Sequence, residues 1–291
     1  MRMIQQFNAL IWSWGEMVRA FRRRVALLPF ALYAAVQLLV VISIANFAYA
    51  PFSWVMAPAL RWRFGEEVLH YPNNLFALRP ALGQIDTFLW ILLGTLLSGA
   101  AIYVFSAFFA GSPDRFAIGW RKAARRYFAL VAVGAVVMVL TQLITQAPHA
   151  LWGHLIEDSP MRFRLVRMLS VGLVVAVQAL FIYAFPYIVL ERRRIVPAVV
   201  GSFRLAIRSP VTTYLIVGVP AALELFPLWL SRKSLTIAYR FSPALLIAVM
   251  VIWIAVIFLS SYASTGAATR FFLLATQDEE IVGPKETEGG R

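Results

Sequence analysis

The stretch FPYIVLERRRIVPAVVGSFRLAIRSPVTTYLIV, residues 185–217, decides how this chain is folded. It leaves one apolar run and enters another. Between the two stand Glu191 and five arginines, at 192, 193, 194, 204 and 208. Residues 197–209 have helical patterning: Val199, Val200, Phe203 and Ile207 fall on one stripe, and Arg204 and Arg208 fall on another face. Pro210 then opens the next apolar run, a position where a helix tolerates proline. An apolar stripe beside an arginine face, joined to a hydrophobic segment, is the pattern of a helix lying in a membrane interface.

The rest of the chain supports that reading. Of its 291 residues, 61% are hydrophobic and 14% charged, with a mean hydropathy of +0.75. Soluble domains carry about 25% charged residues, so the balance is that of a polytopic membrane protein. A helix needs about 20 apolar residues to cross about 30 Å of hydrocarbon. Uncharged runs place six such helices, at 25–49, 87–110, 127–147, 168–190, 211–230 and 243–263. The fifth is the least apolar because it contains Glu224. The intervening loops are too short for an inserted soluble domain. Residues 1–275 therefore form one transmembrane domain, and 276–291 an acidic, glycine-containing tail expected to be disordered. Ala48-Tyr49-Ala50 has the look of a signal-peptidase site, but the apolar run before it is longer than a signal sequence uses, so the first helix is expected to stay.

Charge sets the orientation. The net charge is +13, and eighteen of the 27 Lys and Arg residues fall on one side of the six spans against nine on the other. Positive-inside asymmetry puts the richer side, with both termini, in the cytoplasm. The expected location is a bacterial inner membrane. The basic residues cluster beside apolar spans, so lipid explains them and nucleic acid does not. There is no cysteine, which excludes disulfides, thiolate metal sites and a cysteine nucleophile.

The interfacial pattern occurs three times. At the N-terminus Phe7, Leu10, Ile11, Trp14, Met17, Val18 and Phe21 share a face, and before the third span stands FAIGWRKAARRYFALV. Aligned on Arg23, Arg126 and Arg208, the three segments have Arg19, Lys122 and Arg204 four residues earlier, and Glu16, Gly119 and Gly201 seven earlier. The fold expected is all-α, three modules of a cytoplasmic interfacial helix followed by a two-helix hairpin. The six basic residues just named form the expected anionic-lipid contacts.

The segment ending the fourth span and beginning the fifth resembles bacterial six-span proteins related to the membrane domain of glycerophosphodiester phosphodiesterases and similar uncharacterised families. The likeness is carried by Pro186, Glu191, Ser202, Phe203 and Arg204. The glycine usual after the fourth span is replaced by Arg192-Arg193-Arg194. The resemblance implies an architecture. It brings no phosphodiesterase domain and no mechanism.

Candidates for chemistry are few. Glu224, flanked by Pro220 and Pro227, is the one acidic residue well inside an expected span. A charge in hydrocarbon marks either a proton or cation site at a broken helix, or a carboxyl bonded to a neighbouring helix. His70, three residues after Glu67, and His154, three before Glu157, have metal-ligand spacing in the outer loops; solvated loop polarity explains them as well. Gln37, Asn46, Gln142, Gln146 and Gln178 have the character of hydrogen-bonded helix glue, and Gly94, Ser98, Gly99, Ser260, Ser261, Ser264 and Gly266 that of close-packing faces. The first outer loop, with Trp54 and Trp62, reads as an outer interfacial helix. No nucleophile elbow, phosphate loop or dinucleotide fingerprint is present. The leading expectation is a non-enzymatic protein without cofactor, an accessory or scaffold subunit organising lipid or a larger membrane complex. The alternative is a transporter of lipid or a small solute that uses Glu224.

Overall fold

The computed structural model describes residues 3–70, 73–112, 115–157, 159–233, 236, 242 and 245–282. Every regular element among them is a helix. Six helical segments are long and apolar enough to cross a membrane: Arg24–Ala45, Pro80–Phe109, Tyr127–Pro148, Met161–Val189, Pro210–Leu230 and Leu245–Gln277.

The first span is α2 (Arg24–Ala45), preceded by α1 (Met3–Ala20). Helix α3 (Phe52–Phe64) follows, with Trp54 and Trp62 turned outward. The second span is built from α4 (Asn73–Leu89), a π-helical turn at Trp90–Gly94 and α5 (Thr95–Phe109). It begins earlier than the uncharged run that announces it, and so takes in Asp86. Then come α6 (Phe116–Ala124) and the third span α7 (Tyr127–Glu157). The fourth span is α8 (Pro160–Phe181) and, after a break, α9 (Ala184–Val189). Helix α10 (Ile195–Arg208) leads into the fifth span, α11 (Pro210–Arg232), and α12 (Leu245–Val282) is the sixth. That last helix carries on through residues 276–282, which composition alone assigns to the tail. Residues 283–291 lie outside the described residues.

The break in the fourth span has a local cause. Pro186 has no N–H to give the carbonyl four residues back. Ser202 of α10 braces the break through neighbouring groups: its Oγ donates to the Leu180 carbonyl at 2.5 Å and accepts from the Tyr183 N–H at 3.2 Å. In hydrocarbon the backbone groups freed at a break must find partners within the protein. Gly201 lets the two elements meet, since a Cβ there would stand 2.9 Å from the Tyr187 ring. Helix α10 thus packs through the small residues Ala198, Gly201, Ser202 and Ala206, with Leu205 beside them. The bulky stripe expected to define it points elsewhere: Val199 and Phe203 are half-buried, Val200 is 51% and Ile207 69% exposed. The reason is a three-way division of the surface, with small residues toward protein, arginines on a second face, and bulky apolar side chains left outward.

Helix α1 divides in the same way. Leu10, Ser13, Met17 and Ala20 face inward, while Phe7, Ile11 and Val18 are exposed. It is pinned at both ends. Gln6 donates to the Arg208 carbonyl at 3.3 Å and accepts from Thr212 at 3.1 Å, and Tyr262 of α12 donates to the Met17 carbonyl at 3.1 Å. Between spans the apolar packing is dense around Tyr183, Ile188, Phe271 and Phe272. Because lipid tails are as apolar as leucine, fit selects these contacts rather than escape from water.

Candidate functional site

The site begins with two polar residues on one face of α2. Tyr33 and Gln37 are four apart, so their side chains stack along the helix. Both point at α4. The Tyr33 hydroxyl donates to Asp86 Oδ1 at 2.7 Å, and Gln37 Nε2 donates to the same oxygen at 2.6 Å. Two donors thus converge on one carboxyl oxygen. Gln37 is fully buried, and its Oε1 has no partner.

Asp86 borders a cavity of about 320 Å³ to which all six spans contribute side chains. Across it stands Glu224 of α11, whose carboxyl also reaches Ser260 and lies within electrostatic range of Asp86. Glu224 remains accessible although protein surrounds it, because it borders open space instead of filling a packed core. Ser260 is fixed by donating to the Pro220 carbonyl at 2.9 Å. Asp86 lies six residues from the start of the second span and Glu224 six from the end of the fifth. At 1.5 Å per residue each is about 9 Å along its own helix from the end opposite the basic clusters. Along α12 the cavity runs from Ile257 to Thr269, about 18 Å toward the basic side. A second cavity, of about 380 Å³, lies behind the acid and is lined by Gln37, Asp86, Met250 and Trp253. Asp86 is common to both.

Glu224 borders this cavity, but it is not the lone intramembrane acid that the sequence suggests. Asp86 is the missed partner. Counting uncharged runs ends the second span at the first charge it meets, which removes the charge of interest from the count. The signal that points to it is elsewhere, in the polar pair Tyr33 and Gln37 inside an otherwise apolar helix. The expected small-residue faces separate into two jobs. Gly94, Gly99 and Gly266 pack tightly against Trp90, Leu130 and Met17 respectively, whereas Ser98, Ser260, Ser261 and Ser264 line the cavity. Gln178 lines it as well, while Gln146 bonds Gln142 on its own helix.

The outer-loop metal candidates do not gain a site. His70 is exposed after a short 3-10 turn, the side chains of His154 and Glu157 lie outside the described residues, and no group of three potential ligands occurs among the described residues. The basic residues sit at the ends of α1, α6 and α10. Arg19 pairs with Glu16 at 2.7 Å, Lys122 lies 4.1 Å over the Tyr103 ring, and Arg23 and Arg204 are exposed. Arg193 pairs with Glu191 at 2.7 Å and covers the Tyr187 ring at 4.4 Å. Comparison with protein-family models, curated proteins and solved structures returned no match.

Proposed function

We propose that the protein is a transporter that takes a small solute into the cavity between Asp86 and Glu224. The observation that carries this reading is the cavity itself: all six spans border it, two carboxyls face it, and serines and threonines continue it toward the basic side. A volume of about 320 Å³ is that of a small-molecule site. Acidic residues facing a cavity within a membrane mark solute and ion pathways. A chamber bordered by two carboxyls suits a solute pathway better than a scaffold, so the accessory role suggested by composition takes second place. We assign the basic side to the bacterial cytoplasm, treat α1, α6 and α10 with the hairpins that follow them as three related modules, and give their arginines the role of holding anionic lipid. The six-span resemblance adds an architecture to this reading and no substrate.

The chain has no cysteine, which makes the test direct. Single Ser264→Cys and Thr141→Cys variants in oriented membrane vesicles should react with a membrane-impermeant thiol reagent. Leu130→Cys, in the packed interior, should not. If neither cavity position reacts from either face, the chamber is sealed and the transport reading fails.

A further inference from the structure

The chemistry of the chamber narrows what enters it. Among the described residues lining the two cavities there is no lysine, arginine or histidine, while Asp86 and Glu224 are both acidic. A ligand there meets two carboxyls with no basic side chain beside them.

The hydrogen bonds around Asp86 make the demand more specific. Its Oδ1 takes both available donors, from Tyr33 and Gln37. Among the described residues no donor is directed to Oδ2. Gln37 has spent its amide N–H on Asp86, and its Oε1 is buried without a partner. Gln37 Oε1 is therefore a buried acceptor that lacks a donor, on the residue hydrogen-bonded to Asp86. An unpaired buried acceptor is costly. The group that suits this acceptor and the carboxyl together is a positively charged N–H donor. A carboxylate or phosphate would add acceptors to acceptors. The surrounding rings favour the same charge: Tyr33 and Trp90 line the first cavity and Trp253 the second, and aromatic faces attract cations. A bare metal ion would leave most of the first cavity unfilled.

We propose, resting on the cavity reading above, that the solute is an organic ammonium compound. Its protonated amine sits at Asp86, bonded to Oδ2 and Gln37 Oε1, and its apolar body lies along the chamber. Glu224 supplies a second carboxyl across the cavity.

The test uses the full-length protein in lipid nanodiscs. Binding of phenethylammonium is measured by calorimetry beside two probes of the same size, neutral 2-phenylethanol and anionic phenylacetate. The ammonium should bind and the other two should not. Asp86→Asn should weaken it about tenfold or more, the size of losing a charged hydrogen bond. Gln37→Met should weaken it less, and Asp86→Glu, which keeps the charge, should retain most of it. An unchanged melting temperature for Asp86→Asn separates lost binding from lost folding, and the Asp86→Glu comparison decides if that variant is unstable. Equal binding of the alcohol or the acid overturns the ammonium assignment and leaves the cavity reading standing. So does binding of sodium at Asp86 with no amine uptake. If no probe binds while Ser264→Cys still reacts with the thiol reagent, the ammonium assignment fails and the chamber survives.

Discussion

Ser202 carries more of this fold than its size suggests. Its hydroxyl serves two backbone groups at the break in the fourth span, at positions twenty or so residues earlier in the chain. Ser202→Ala leaves the Leu180 carbonyl and the Tyr183 N–H without that partner, and the expected loss is about 1–3 kcal/mol, visible as a lower thermal midpoint in nanodiscs. An unchanged midpoint would mean that other groups close the break. Arg192 offers the opposite experiment. It takes φ 57°, the left-handed region that costs an ordinary residue about 1–2 kcal/mol and glycine almost nothing. Arg192→Gly should therefore raise the midpoint, and Arg192→Val should lower it. The resemblance puts a glycine after the fourth span, but only the structure shows that a residue there takes the left-handed region. Asp86 was not legible either. Its meaning comes from Tyr33 and Gln37, which lie 53 and 49 residues away in the chain, and no local pattern encodes that meeting.

At the scale of elements, apolar length marks the spans well, since crossing hydrocarbon is a one-dimensional requirement. It marks their ends less well where a charge lies inside. The helices α1, α6 and α10 were legible as helices, but not in how they face. The rule that large apolar side chains pack inward belongs to proteins in water. In a bilayer the small residues make the close contacts, and α10 turns Gly201 and Ala198 inward while Val200 and Ile207 look out. Two consequences can be measured. Gly201→Val drives a side chain into the Tyr187 ring and should part α10 from the fourth span, seen as faster proteolysis of the 190–210 segment. Arg204→Gln with Arg208→Gln should cut anionic-lipid retention in native mass spectrometry by about 2 kcal/mol, at roughly 1 kcal/mol per charge; unchanged retention would remove these arginines from the lipid-binding assignment.

For the whole molecule, the six spans predict a sidedness that single cysteines report. Arg22→Cys and Ser112→Cys should react from one face of the membrane and Ser53→Cys from the other; any other partition breaks the proposed topology. The brace at Ser202 has a further consequence at this scale. Helix α10 presents Val200 and Ile207 outward, while Ser202 fastens it to the backbone just before Pro186, which lines the chamber. In mechanical terms α10 would bear on that wall as a lever, with Ser202 as its fulcrum. If so, the reactivity of Ser264→Cys should differ between thin and thick bilayers, and equal reactivity would remove the coupling.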